Sequence, residues 1–235
     1  MPSTTRLART AGLYYLVVAV LGAFAHIVRS QVYRAGDAAA TAANIQESAD
    51  LVKLSFVADL VQTAFFVFTV LALFRLLRHV DTNLARAMVV FVALAVAITS
   101  LNLVHQLGAI LVTTEPAYAT AFGLDGREAL VLLLMDLQHY GYLIAQIFFG
   151  LWLFPLGILA WRSGMFPRII SVLLVTASTS YLLDVVLQFM APGVADVINP
   201  VLVTLFSVAE GSMLFFLLIK GVLTPKPVLR EPVSV

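Results

Sequence analysis

Long apolar stretches separated by short polar segments recur along the whole 235-residue chain. An α-helix needs about 20 mostly apolar residues to cross the roughly 30 Å hydrocarbon core of a bilayer. Six stretches are long enough, and they predict membrane-spanning helices at about 11–28, 54–76, 87–112, 130–161, 168–190 and 198–223. The pattern therefore predicts an all-α polytopic membrane protein, a six-transmembrane-helix bundle that forms one domain over 1–235.

Prolines and two longer polar connections refine this picture. Pro155 predicts a kink late in the fourth helix, and Pro225 and Pro227 end the sixth. In the first connection, 30–53, Asp37 precedes an alanine-rich run, which predicts a short, N-capped helix on the outer membrane surface. The second connection, 113–128, is interrupted by proline and glycine, and we expect a loop that packs over the bundle.

The basic residues are distributed unevenly between the two sides of the predicted bundle. With the N-terminus in the cytoplasm, ten Lys and Arg residues lie inside, Lys226 and Arg230 among them, and four lie outside. Those four are Arg29, Arg34, Lys53 and Arg127. Cytoplasmic loops carry the excess of positive charge, so both termini are predicted to be cytoplasmic. The alternative is a secretory signal cleaved after Ala25, which would leave five helices and an external N-terminus.

Composition supports the membrane prediction and excludes several kinds of chemistry. Hydrophobic residues make up 61% of the chain and charged residues 11%, whereas soluble domains carry about 25% charged residues. The absence of cysteine excludes disulfides, iron–sulfur clusters, thiolate zinc sites and thiol catalysis. A net charge of +1 without a basic tract gives no reason to expect a nucleic-acid partner, and the expected partners are membrane lipids.

Ionisable and amide side chains interrupt the apolar helices. A carboxylate near the bilayer centre costs about 2.5–3.5 kcal/mol, so such residues face the bundle interior or a water-filled cavity. The intramembrane acids are Asp59, Asp136, Asp184 and Glu210, and the histidines are His26, His105 and His139. The accompanying amides are Gln62, Asn102, Gln106, Gln138 and Gln188. Spacings of three and four residues place several of them on shared helix faces, and together they predict a polar pocket in the outer half of the bundle.

Two functional hypotheses follow from these residue types. His105, His139 and Asp136 have the chemistry of metal ligands for zinc, iron or manganese, with Glu210, Asp59 and Asp184 as catalytic carboxylates. The result would be a membrane-embedded, metal-dependent hydrolase acting on a lipid or another apolar substrate. The alternative is a transporter or sensor of protons or a small cationic solute. Haem between His105 and His139, and buried polar groups that only hold helices together, also remain open.

Several segments are similar to those of a known family. They include 36–45, the run Asp136-Leu137-Gln138-His139-Tyr140-Gly141-Tyr142, and Arg162-Ser163-Gly164-Met165-Phe166-Pro167-Arg168. Together with 9–16, 56–60 and Glu210-Gly211, these segments resemble the bacterial membrane family of domain of unknown function 4386. The resemblance covers nearly the whole chain and includes the first helix. It implies a bacterial cytoplasmic (inner) membrane protein and carries no assigned activity.

Overall fold

The structure is a computed structural model, and it describes residues 4–223. Its regular elements in this range are the seven α-helices α1 (Thr4–Val32), α2 (Ala38–Glu47), α3 (Ala49–Leu77), α4 (Thr82–Thr114), α5 (Pro116–Ser163), α6 (Arg168–Met190) and α7 (Pro192–Ile219). All but α2 are long and apolar enough to cross a membrane, which confirms the all-α, six-span prediction. Pro225, Pro227, Lys226 and Arg230 lie outside the described residues.

The six long helices pack as a closed ring in chain order, with α7 returning against α1. We call the end where α1 finishes and α3 begins the α2 end, and the end where α1 begins and α7 finishes the terminal end. The interior is filled by large aromatic side chains from different helices. Trp152 of α5 packs edge-on against Phe66 of α3 at 5.2 Å and against Tyr15 of α1 at 5.9 Å between ring centroids.

Glycine permits the close approach that completes the ring. A Cβ atom at Gly12 of α1 would lie 2.9 Å from the backbone nitrogen of Leu218 and 3.0 Å from Cβ of Leu217. Small residues at such crossings let helices in a membrane gain packing energy along their backbones. The contact between α1 and α7 therefore depends on the missing side chain of Gly12.

The short helix α2 forms for the reason that the sequence suggested. The Asp37 carboxylate accepts a hydrogen bond from the backbone N–H of Ala40 at 2.9 Å, which satisfies one of the free amides of the first turn. Thr41, Ala42 and Ile45 are buried, because α2 packs across the adjoining ends of α4 and α5. The predicted N-capped helix between the first two spans is confirmed.

The second long connection differs from its prediction. We expected a loop over 113–128, but α4 runs to Thr114 and α5 starts at Pro116, with a departure from helical geometry at Gly123 (φ 65°, ψ 179°). Residues 120–126 are exposed, so this segment does not pack over the bundle. Proline is favoured at the first position of a helix, and alanine has the best helix propensity. These two effects outweighed the helix-breaking tendency of Gly123 and Gly126.

Other helices extend beyond their apolar stretches. The first span, α1, continues to Val32, and the second span, α3, starts at Ala49, because a helix propagates into polar residues once it is nucleated. The last begins at Pro192 and contains Pro200, well before the predicted start at 198. Pro155, where we predicted a kink, lies inside α5.

Replacing Gly12 with alanine should loosen the ring where α1 meets α7. Overpacking at this position costs about 1–3 kcal/mol, against a gain of about 1 kcal/mol in helix propensity. Gly22→Ala in the same helix is the matched control, because its Cβ would meet only ordinary contacts at 3.6 Å with Gln62. The midpoint of thermal unfolding in detergent should fall by several degrees for Gly12→Ala relative to Gly22→Ala. Equal midpoints for the two variants would contradict the proposed tight crossing.

Candidate functional site

Polar side chains bridge neighbouring spans around the ring. The guanidinium of Arg29 on α1 forms an ion pair with Asp59 on α3. Between α3 and α4, the amide of Gln106 donates to the hydroxyl of Ser55 at 3.0 Å. The next bridge joins α4 to α5, where Asn102 donates to the carbonyl of Gln138 at 2.7 Å.

The same arrangement continues through the second half of the ring. Asp184 on α6 accepts from Gln146 on α5 at 2.6 Å and from Asn199 on α7 at 2.9 Å. The ring closes at Glu210 on α7, which accepts from Tyr15 on α1. Interhelical hydrogen bonds in membranes contribute about 0.6 kcal/mol each on average. Every neighbouring pair of spans thus shares at least one, and many of the predicted pocket residues are occupied in holding helices together.

The Arg29–Asp59 pair is the buried charge pair of the bundle. Its side chains are only 10% and 5% exposed. The prediction that Arg29 lies outside the first span was wrong, because α1 continues past it to Val32. The guanidinium also lies over the ring of Tyr142, 5.9 Å from its centroid. A buried carboxylate and a buried guanidinium neutralise each other here, and Asp59 is therefore not a free catalytic carboxylate.

Glu210 lies in a different environment, at the middle of the bundle. One carboxylate oxygen accepts from Tyr15 and the other from the hydroxyl of Tyr181 at 2.6 Å. Among residues 4–223, no Lys, Arg or His forms an ion pair with it. Glu210 is partly exposed and lines a cavity of about 100 Å³ between α1, α3, α5, α6 and α7.

Aromatic rings dominate the wall of this cavity. We call it the Glu210 cavity, and its other lining residues are Tyr15, Val18, Gln62, Phe66, Tyr142, Phe149, Trp152 and Tyr181. Tyr142 lies between the cavity and the ion pair, because the Arg29 guanidinium lies over its ring. Of the predicted site residues, Gln62 and Glu210 line this cavity.

The proposed metal ligands do not come together. Within residues 4–223, no three His, Asp or Glu side chains are placed to hold a metal ion, so the structure does not support metal binding. His105 contacts the amide oxygen of Asn102 through Nδ1 at 3.0 Å. His139 stacks on Tyr33 at 5.8 Å. Each ring is thus held by a local partner, and spacing along one helix did not bring the ligands of different helices to a common point.

Asp136 belongs to a small network at the α2 end. Tyr33, directly after α1, donates its hydroxyl to Asp136 at 2.6 Å. Burial, the hydrogen bond and the nearby carboxylate raise the pKa of Tyr33 well above its ordinary value. The phenol therefore keeps its proton at neutral pH and remains a donor. Asp136 thus has a neutral hydrogen-bond donor at Oδ1, and no metal-binding group of three His, Asp or Glu side chains in residues 4–223 includes it.

Two predicted pocket residues lie elsewhere. His26 is exposed on α1 and does not line the Glu210 cavity. Gln188 is half-buried, one turn of α6 beyond Asp184. The predicted pocket residues are distributed over several helix interfaces, and Asp59, Asp184 and Glu210 each have their donors on a neighbouring helix.

Sequence reasoning missed Tyr15, Arg29, Tyr33, Gln146 and Asn199. Depth in the membrane could have identified Tyr15 as a partner of Glu210. Tyr15 lies roughly 17 Å into α1 from the terminal end, and Glu210 lies roughly 14 Å into α7 from the same end. For Arg29, the signal was an unpaired acid, since a membrane-embedded Asp59 requires a partner. Nothing in the spacing of residues identifies the partner helix.

Breaking the ion pair on one side should destabilise the bundle strongly. Arg29→Met leaves Asp59 buried and uncompensated, which costs about 3–5 kcal/mol, whereas removing both charges is often close to neutral. We expect a large drop in the thermal midpoint for Arg29→Met and recovery of most of it in Arg29→Met/Asp59→Asn. Arg34→Gln, an exposed basic residue at the same end, is the control and should have little effect. A double variant as unstable as the single one would show that the charges are not coupled.

Comparisons with known proteins give a relative and a family model. A relative described as an uncharacterized protein of Archaeoglobus fulgidus is 34% identical over 120 residues, which cover 50% of this chain and 57% of the relative. The match thus spans little more than half the length of that protein. No solved structure matches the chain. The model of the family described as Domain of unknown function (DUF4386) matches residues 10–221, and the chain belongs to this family.

Proposed function

We propose that the protein binds a small organic cation in the Glu210 cavity, as a membrane transporter or sensor. One observation carries the proposal. The Glu210 carboxylate faces an aromatic cavity, and both of its oxygens accept from neutral tyrosine hydroxyls rather than from a basic side chain. A carboxylate inside a membrane is costly without a positive partner, and a bound cation supplies one.

The walls of the cavity suit such a ligand. A cation is attracted to the face of Trp, Tyr or Phe within about 6 Å of the ring centre, and aromatic cages of this type recognise alkylated ammonium groups. Six aromatic residues line the Glu210 cavity, with Trp152 among them. The amide of Gln62 adds a polar group that can orient an N–H donor.

The volume limits the size of the ligand. Pockets for drug-sized molecules measure about 300–1,000 Å³, and about 10–15 Å³ suffices for one water molecule. At about 100 Å³, the Glu210 cavity accommodates several waters or a cation of a few heavy atoms. Small alkylammonium ions such as methylammonium and dimethylammonium fit this volume.

Two other interpretations explain less. A metal-dependent hydrolase lacks its ligand set in residues 4–223. Helix association accounts for Asp59 and Asp184, which are buried between their partners, but it does not require a cavity beside Glu210. A proton carrier would use the same Glu210 carboxylate, and a test of methylammonium binding separates proton transfer from amine recognition.

We place the protein in a cytoplasmic membrane with the terminal end inside. Arg75, Arg78, Arg86, Arg162 and Arg168 all lie near the terminal end, and positively charged segments are retained on the cytoplasmic side. The α2 end would then face outward.

Methylammonium should quench or shift the fluorescence of Trp152, which lines the cavity. A Trp161→Phe background makes Trp152 the sole tryptophan reporter. Glu210→Gln should weaken the binding on the order of tenfold to a hundredfold, because a hydrogen bond to a charged group contributes about 1.5–3 kcal/mol. Binding should also weaken as the pH falls through the titration of Glu210, since protonation removes the counter-charge.

Two controls define the result. Glu115→Gln makes the same chemical change at an exposed residue outside the cavity and should bind as the background protein does. Tetraethylammonium, which is too large for about 100 Å³, should not bind. Methylammonium binding that is unchanged in Glu210→Gln would refute the proposal. No binding by the folded background protein, together with a pH-dependent Trp152 signal that Glu210→Gln abolishes, would instead indicate a proton carrier.

A further inference from the structure

A second concave region lies on the outer surface of the bundle, near the terminal end. This α5–α6 groove has a volume of about 350 Å³ and is lined by Gly157, Ile158, Trp161 and Arg162 of α5 and by Ser171, Val172, Val175 and Thr176 of α6. The two helices approach closely at its floor, where a Cβ at Gly157 would lie 2.8 Å from Cγ2 of Val175. Trp161 and Val172 at its edges are 48% and 49% exposed.

The groove is apolar along its length and basic at one end. Arg162 lines it at the last turn of α5, and the guanidinium of Arg168, at the start of α6, lies 5.1 Å from the ring centroid of Trp161. No Asp or Glu lines the groove. Arg162 also donates to Asp81 at 3.2 Å, but both side chains are partly exposed and this pair is weak.

One polar atom within the groove lacks a partner. The Ser171 side chain is 1% exposed, and its hydroxyl oxygen has no hydrogen-bond partner within residues 4–223. A buried hydroxyl without a partner costs about 1–3 kcal/mol. Ser171 is therefore a buried, unsatisfied hydroxyl in the wall of the groove.

We propose that the α5–α6 groove binds one anionic phospholipid, with an acyl chain along the groove and the phosphate between Arg162 and Arg168. Both arginines lie at helix ends, at the level of lipid headgroups, and Trp161 is placed as an interfacial anchor. Val175 and Thr176 lie roughly 10–12 Å deeper along α6, at the level of the acyl chains. Arginine binds phosphate through its planar fork of donors, and basic pockets between spans select anionic lipids.

Trp161 reports occupancy of the groove directly. The protein is reconstituted in two sets of vesicles of phosphatidylcholine and phosphatidylglycerol. In one set only the phosphatidylglycerol carries brominated acyl chains, and in the other only the phosphatidylcholine does. Brominated chains quench tryptophan fluorescence on contact. Trp152 is 1% exposed inside the bundle, and a Trp161→Phe protein provides its contribution for subtraction. Brominated phosphatidylglycerol should quench Trp161 at a several-fold lower mole fraction than brominated phosphatidylcholine, with up to about fivefold preference per arginine at low salt.

Two pairs of variants locate the effect. Arg162→Gln/Arg168→Gln should remove the preference, whereas Arg75→Gln/Arg86→Gln makes the same charge change at exposed residues of the same end and should retain it. Val172→Phe should reduce quenching of Trp161 by both lipids by occupying the groove. Val90→Phe, on the exposed surface of α4, should not.

Three results would overturn the proposal. Equal quenching of the wild-type protein by the two brominated lipids would exclude selection of an anionic headgroup. An equal loss of preference in the two double-arginine variants would assign it to the overall charge of the terminal end. Unchanged quenching in Val172→Phe would exclude an acyl chain in the groove.

Discussion

A carboxylate in a hydrocarbon environment must find hydrogen-bond donors or a positive charge, and the six-helix ring is organised around this requirement. Asp59, Asp184 and Glu210 each take their donors from neighbouring helices. Each bond contributes only modestly to stability, because an unfolded chain in a membrane also finds partners for its polar groups. Their greater effect is to specify which helices are neighbours and at what depth, because a shifted helix would leave a buried acid unsatisfied.

The three acids meet this requirement in different ways. Asp59 is paired with an arginine. Asp184 is enclosed, 2% exposed, between the amides of Gln146 and Asn199. Glu210 is held by hydroxyls and remains open to a cavity. Glu210 thus borders open volume, whereas the other two carboxylates are enclosed by their partners.

The architecture could be predicted from the sequence because each span depends on its own composition. The apolar stretches gave all six spans, and Asp37 with the alanines after it gave α2. Helix ends were harder, since propagation past the apolar stretch depends on local propensity and on contacts. Arg29 illustrates the consequence, because an error of four residues at one helix end put this buried side chain outside the predicted span.

The candidate site was predicted only in part, because it depends on which helices are neighbours. Residue spacing places side chains on one face of one helix but does not say what that face meets. Glu210 and Gln62, which the sequence assigned to a polar pocket, line the Glu210 cavity. Tyr15 is separated from Glu210 by 195 positions, so no local pattern connects them. The predicted metal ligands also lie on different helices, and their spacing did not show that those helices hold them apart. In the structure, His105 contacts Asn102 and His139 stacks on Tyr33.

The seam of the ring lies between the first and last helices of the described chain, where a Cβ at Gly221 would meet Thr5 and where Tyr15 reaches Glu210. Helices enter a membrane in the order in which the ribosome synthesises them. After α6 has been inserted, the tyrosines and the tryptophan of the cavity are all present, but the carboxylate is not. The charge is added with α7, after its donors are in place, so the nascent bundle never has to hold Glu210 in lipid without them.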